Sequence, residues 1–399
     1  MPRDPSFRML VTARMRFATV GAITMSRGRT VGPMCPSEQT RQDRMRVARS
    51  RGGHGISVLH PGRWGVVMVQ IGSGTDWIAL SDRAGQTGGA DVADGLFVAE
   101  LRLPIDGPQV LLDQRSADGA EVFSILHDAA AGLSVLHRRD GRLTRHELPG
   151  PLPVDRATAR LEFGWNTGRD LWRLEFGLLT DGHGTGLRIE AQGRGVQGLG
   201  AGMLSDLCAG RGQRHDAVLW FGVTGGAMPA RRAWVGPRSK LRTVRGPVAA
   251  EDLRVGEVVV TRNGLVPILG LARHAVPARG SFQPVLLRAP WFGASDILVS
   301  GEQLVRLGGP EAEYLFGEEE VLVPAHLLVD GQSALAEVRR AVVKGITVDL
   351  GGAELIEVQG CTLCTEPPPG LELPLRLLDR YEAVPLLAQL GRLPQRAVG

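Results

Sequence analysis

From about Trp64 to Phe221 the chain repeats one local pattern. Five to nine residues lean apolar at every second position, and then a glycine, aspartate, asparagine or proline interrupts. The runs are "WGVVMVQIG", "GLFVAELRL", "AEVFSIL", "AGLSVLH", "ATARLEFGW", "LWRLEFGLL", "TGLRIEAQG" and "AVLWFGV". Side chains alternate between the two sides of a strand, so Leu161, Phe163 and Trp165 share one face while Arg160, Glu162 and Gly164 share the other. Trp172, Leu174 and Phe176 alternate in the same way. Strands at this spacing, with hardly a helix among them, predict a two-sheet β-sandwich over residues 61–224. The aromatic residues are expected in its core, not on a sugar-stacking platform. "GHGTG" (182–186) lacks the Lys-Ser/Thr ending of a phosphate loop and reads as a hairpin turn.

The stretch "GGAMPARRAWVGP" suggests a linker at 225–233. Strand-like runs then resume: "KLRTV", "EVVVTRNG", "VPILGLARHAV", "FQPVLLRA", "DILVSGEQLVRL", "EVLVPAHLLVDG" and "GITVDLGGAELIEVQGC". They predict a second all-β unit over 234–369. The tail, 370–399, has helical spacing at Leu377, Tyr381 and Val384 and predicts a short C-terminal helix. The chain's 54 glycines and 25 prolines suit an all-β protein with many turns.

The net charge of +4 is uneven. Residues 1–60 hold eleven arginines against Asp4, Glu38 and Asp43, and the rest of the chain is slightly acidic. The basic balance therefore gives no reason to expect nucleic-acid binding by the folded part. Residues 1–60 are expected to be a disordered basic arm. "FATVGAITM" (17–25) follows several arginines but lacks a small-residue cleavage site, so no signal peptide is expected. No run of 18 apolar residues exists, and no membrane span is expected. That leaves a soluble protein, either cytoplasmic or secreted.

Cys35, Cys208, Cys361 and Cys364 are too scattered for a disulfide framework. The lone Cys361-Thr362-Leu363-Cys364 lacks two further zinc ligands at usable spacing and lacks the βαβ setting of a thioredoxin-like site. No metal and no cofactor is expected.

Four phrases of the second unit, in order, carry a resemblance: "GPVAAEDLRVGEVVVTRNG", "DILVSGEQLVRL", "YLFGEEEVLVPAHLLVDG" and "AELIEVQGCTLCTE". Residues 234–366 resemble the Hint domain, the hedgehog/intein autoprocessing fold, in its bacterial form. The resemblance makes the first phrase scaffold, with Glu251 and Asp252 in a turn. Leu253, Val255, Val258 and Val260 would line one edge of a pseudo-symmetric β core. It also implies chemistry. A Cys or Ser at the domain's first position attacks the preceding carbonyl, exchanging an amide for a thioester or ester. A His of a Thr-x-x-His motif protonates the leaving nitrogen. A donor steadies the oxyanion.

Thr243 and Gly246 fit the Thr and Gly of the family's opening turn. The nucleophile then falls on Trp234, nine residues before Thr243. Indole offers only an N–H donor. The family's Gly-Thr falls on Arg238-Ser239. Ser300 fits the second motif, but its His position is Gln303, and glutamine delivers no proton near neutral pH. His274 and His326 lie outside any Ser/Thr-x-x-His setting. Asp349 is a candidate late-strand acid, or an ordinary turn residue. Cys364 lies near the cysteine that closes the last strand of hedgehog-type domains.

The expected function is thus a Hint protein that keeps the autoprocessing fold while self-cleavage is lost, with Trp234, Ser239, Thr243, Ser300, Gln303, Asp349 and Cys364 as vestigial positions. Two alternatives stay open. One is an active self-cleaving protein using Ser239, or Cys208, 26 residues upstream of Trp234. The other is a carbohydrate- or surface-binding module formed by the sandwich, whose strand pattern alone resembles jelly-roll or laminin-G-like domains; a glycan or cell-surface ligand would be its partner.

Overall fold

A computed structural model describes residues 77–81, 91–179, 187–225, 228, 230–366 and 370–391. The basic arm, the run "WGVVMVQIG" and "GHGTG" lie outside the described residues.

The first half contains β1 (Trp77–Leu80), β2 (Asp94–Arg102), β3 (Gln109–Arg115), β4 (Val122–Asp128), β5 (Gly132–Arg139), β6 (Arg142–Pro149), β7 (Thr158–Asn166), β8 (Leu171–Leu179) and β9 (Arg188–Arg194), then α1 (Ala201–Cys208), β10 (Gln213–Arg214) and β11 (Val218–Thr224). They form two antiparallel sheets, ordered β1-β11-β2-β7-β8-β9 and β10-β3-β4-β5-β6. The alternating residues Leu161, Phe163, Trp165, Leu174 and Phe176 are buried between them with Phe97, Phe123 and Leu133. At roughly 1.5–3 kcal/mol for each large apolar side chain removed from water, this layer dominates the stability of the sandwich.

Five elements of this half are absent from the sequence reading: β1, β3, β6, β10 and α1. Helix α1 stands where no helix was expected, and Met203, Leu204 and Leu207 seal one end of the core. Strand β6 was missed because its inward residues are Thr144, His146 and Leu148, so the alternation is partly polar.

His146 is 1% exposed, and both its ring nitrogens lack a hydrogen-bond partner. Its ring packs on Phe163 and Trp172 at centroid separations of 5.1 and 4.8 Å. Burial, helped by nearby His137, pushes the imidazole down to about 4 from an ordinary value near 6.5. The folded state therefore holds a neutral ring while the unfolded chain takes up a proton below pH 6.5. This contribution to stability is intact above about pH 6.5, falls as the pH drops to about 4, and is flat below. The expected loss is about 2–3 kcal/mol. Denaturant unfolding at pH 7 and pH 4.5 should show it, and His146→Phe should remove that part of the pH dependence.

The second half contains β12 (Lys240–Thr243), β13 (Gly246–Ala249), β14 (Val258–Thr261), β15 (Gly264–Pro267), β16 (Gly270–Pro277), β17 (Val285–Leu287), β18 (Ile297–Val299) and β19 (Leu304–Gly308). After α2 (Pro310–Phe316) come β20 (Glu320–Pro324), β21 (Ala334–Ala336), β22 (Val342–Asp349), β23 (Leu355–Val358), β24 (Cys361–Cys364), β25 (Arg376–Leu377) and α3 (Arg380–Gln389). One sheet runs β13-β12-β14-β23-β24-β19-β20-β25, with β15 on β14; β16 pairs β22, and β17 lies between β18 and β21.

Local repetition builds this unit. In the hairpin β12–β13 the Thr243 hydroxyl donates to Gly246 O at 2.9 Å and accepts from Arg245 N at 3.1 Å. In β14–β15 Thr261 does the same with Gly264 O and Asn263 N, both at 3.2 Å. Glu251 and Asp252 sit in a single 3-10 turn, as expected. The inward set, however, is Leu253, Val259 and Thr261; Val255 is 61% exposed, and Val258 and Val260 are half-buried. With three successive valines no period of two is visible, so parity is fixed only by pairing.

The tail is only partly helical. β25 adds to β20 in parallel, and α3 starts at an Asp379–Glu382 capping box. Its buried face is Ala383, Leu386 and Leu387, whereas Tyr381 is 87% exposed. Among the described residues no helix is long and apolar enough to cross a membrane.

A distinct cluster joins the two halves: Leu80, Val98 and Trp220 from the sandwich with Trp234, Val276, Ala278, Phe282 and Val343 from the second unit. Beside it Glu100, 0% exposed, accepts from Arg160 Nη2 at 3.0 Å, Ser281 N at 2.8 Å and Ser281 Oγ at 2.6 Å. Arg160 stacks over Phe282. Gly280 makes this approach feasible: its φ is +52°, and a Cβ there would stand 2.0 Å from Glu100 Oε2 and 2.1 Å from Trp220 Nε1.

Candidate functional site

The segment 233–236 threads between the end of β18 and the middle of β22. Val235 exchanges both backbone hydrogen bonds with Ile346, at 3.0 and 2.9 Å, and Gly236 N donates to Leu298 O at 2.7 Å. Ser300 N donates to Trp234 O at 3.1 Å, and Trp234 N donates to Ser300 Oγ at 3.2 Å. The N–H side of the Ala233–Trp234 peptide is therefore held by Ser300.

Trp234 is 4% exposed and belongs to the cluster that joins the halves. Its ring lies on Gly345, where a Cβ would come within 2.3 Å of the indole. At the position where the sequence resemblance leads one to expect a nucleophile, the side chain thus serves as packing.

The carbonyl of Ala233 accepts from the hydroxyl of Thr347 at 2.7 Å, and His274 Nε2 lies 3.0 Å from that same hydroxyl. Because the Thr347 proton is committed to Ala233 O, His274 is the donor in the second contact. Burial, with Arg232 nearby, lowers the His274 pKa, so the ring is neutral at pH 7 and carries its proton on Nε2. His274 and Thr347 meet because β16 pairs β22 with Ala272 opposite Thr347, which puts His274 two residues along on the same face. Sequence reasoning missed Thr347. A threonine in a strand gives no signal, and its partner is 114 residues away.

The other sequence-derived positions are spread around this junction. Ser300 touches it through its hydroxyl. Gln303, 4% exposed, donates to Cys364 O at 2.7 Å and Leu304 O at 3.2 Å, tying β24 to the start of β19. Ser239 is buried, and its N–H closes a turn on Gly236 O at 3.0 Å. Thr243 serves the hairpin described above. Asp349 is exposed at the end of β22, where it accepts from Gly351 N at 2.8 Å. His326 Nδ1 lies 2.9 Å from Gly301 O.

Cys361 and Cys364 are both buried free thiols. Three residues apart on one strand, they point to opposite faces. Cys361 enters the main core of the second unit, and Cys364 a small cluster with Leu304, Leu322 and Leu355. Burial pushes each thiol up to about 12, so neither is a thiolate near neutral pH. For Cys208, 26 residues upstream of Trp234, the side chain is outside what is described. Among the described residues no group of three His, Cys, Asp or Glu has a metal-binding arrangement.

A cavity of about 20 Å³ lies at the junction, lined by Ala233, Val235, Gln303, Thr347, Cys364 and Thr365 among others. That is room for about one water, not for a substrate.

Residues 236–365 match the family profile described as Hint domain. This part of the chain is a Hint domain. Among solved structures, the gp41-1 intein is 13% identical, with 34% of this chain and 98% of the intein covered at a TM-score of 0.24. The MchDnaB-1 intein is 14% identical, with 33% and 99% covered at 0.23. The LG1-3 region of the laminin alpha2 chain is 8% identical, with 75% of this chain and 58% of that one covered at 0.25. No curated protein matches.

Proposed function

We propose that the Hint domain of this chain is a non-cleaving scaffold, fused to the sandwich as its second structural half. The carrying observation is Trp234: the residue at the nucleophile position is an indole buried in the contact between the halves. Three further features support the reading. Gln303, in place of the general acid, spends its amide protons on Cys364 O and Leu304 O. Ser300 accepts from Trp234 N–H, which puts its oxygen in the plane of the peptide, whereas attack on a carbonyl carbon comes from above that plane. Ser239 is buried in a turn.

Losing a general acid costs about 10²–10⁴ in rate, and losing the nucleophile closes the acyl-shift route altogether. Purified full-length protein should therefore keep one intact mass, fresh or aged, with dithiothreitol or with hydroxylamine. Two fragments dividing at Ala233–Trp234 would refute the scaffold reading.

A further inference from the structure

We propose that Thr347, with His274 behind it, is the group that polarises the Ala233–Trp234 carbonyl, and that this half of an acyl-transfer site is intact while the nucleophile is missing. The inference rests on the scaffold reading, and it concerns what that scaffold has kept. The Thr347 hydroxyl is 2.7 Å from Ala233 O, and His274 Nε2 is 3.0 Å from the hydroxyl. Thr347 is 9% exposed and Trp234 is 4% exposed, so water competes little for the carbonyl. A donor chain N–H···O–H···O=C aligns two dipoles on one oxygen, and each bond strengthens the next. It points at the oxygen on which negative charge would grow if any nucleophile attacked Ala233 C. On the other side of the same peptide bond, Ser300 Oγ lies 3.2 Å from Trp234 N. That hydroxyl accepts the N–H in the plane of the peptide and holds the nitrogen in place.

A thiol at position 234 completes the set. In Trp234→Cys the sulfur adds to Ala233 C, and the carbonyl oxygen takes negative charge against Thr347. The C–N bond then breaks as the nitrogen, pyramidal in the tetrahedral adduct, takes a proton from solvent in place of the one the thiol gave up. The product is a thioester linking Ala233 to the new cysteine, with a free amine on that cysteine. Hydroxylamine cleaves the thioester to a hydroxamate on Ala233; dithiothreitol takes the acyl group by exchange.

The test uses the full-length chain. Trp234→Cys with hydroxylamine, followed by intact mass under denaturing conditions, should give two fragments dividing after Ala233. Adding Thr347→Val should slow this about 10²–10³-fold, as loss of one oxyanion donor does. Thr347→Ser should restore it to within about tenfold of the parent, because the hydroxyl alone is what the mechanism uses. An uncleaved, folded Trp234→Cys protein, or equal rates with valine and serine at 347, overturns the proposal.

Trp234→Cys also empties a packed site, so a second measurement works in the natural background. Ala233–Trp234 is the one Ala-Trp step in the chain. Labelling with carbonyl-¹³C alanine and ¹⁵N tryptophan therefore gives a single HNCO cross peak. Its carbonyl shift should move upfield in Thr347→Val and stay close to wild type in Thr347→Ser. It should also move in His274→Phe. A peak indifferent to all three overturns the proposal. Scission of the wild-type chain would refute the scaffold reading and leave this measurement standing.

Discussion

Trp234→Ala is expected to destabilise the protein by about 3–5 kcal/mol, the range for removing a buried aromatic side chain. The loss should exceed simple transfer from water, because the site is poorly placed to collapse. One wall is the flat backbone at Gly345, and the cluster the indole belongs to holds Trp220, Phe282 and Val276, each in its own strand or turn. That cluster draws on both halves of the molecule, so the substitution should loosen the sandwich as well as the Hint domain. Denaturant unfolding followed by tryptophan fluorescence and by far-ultraviolet circular dichroism would check this. The wild type should unfold in one coincident transition, and Trp234→Ala should lower the midpoint and split the two signals. A variant within 1 kcal/mol of wild type would show that the indole is not a wedge between the halves.

The second large effect is expected at Glu100. Glu100→Ala removes the acceptor for Arg160 and for both polar groups of Ser281, leaving a guanidinium whose side chain is 12% exposed without its closest carboxylate. Breaking one side of such a buried pair costs about 3–5 kcal/mol, mostly the penalty for the stranded charge. The double variant Glu100→Leu with Arg160→Met removes both charges and should recover most of that loss. If the double variant is as unstable as Glu100→Ala, the cost lies in packing and not in the orphaned charge. Arg160 to Ser281 spans 121 residues, so this cluster, like Trp234, ties the halves directly.

Much of the fold was legible in the sequence because alternation survives wherever one face of a strand is apolar and the other polar. β7 obeys that rule, with Leu161, Phe163 and Trp165 buried and their neighbours half-buried, whereas β2 also buries Val98 and Glu100 on its other face. Legibility failed where the rule has nothing to act on. In β6 the inward residues include Thr144 and His146, and in β14 every position but the last is valine. Helix α1 follows a glycine-rich stretch and, at eight residues, is too short to show a clear period. The candidate site was half legible. Trp234, Ser300 and Gln303 were singled out by phrase order, and Ser300 does meet the backbone of Trp234. Thr347 and His274 could not be, because what they do depends on a strand pairing that no local pattern encodes.

The junction strand has one more consequence. Its hydrogen bonds run to β18 and β22, its indole is gripped by both halves, and Arg160 reaches across beside it. Chain continuity at residue 233 is therefore not what holds the molecule together. A protein nicked there would migrate on a sizing column as one particle, as a complementing pair of fragments does. In this molecule cutting and letting go are separate events.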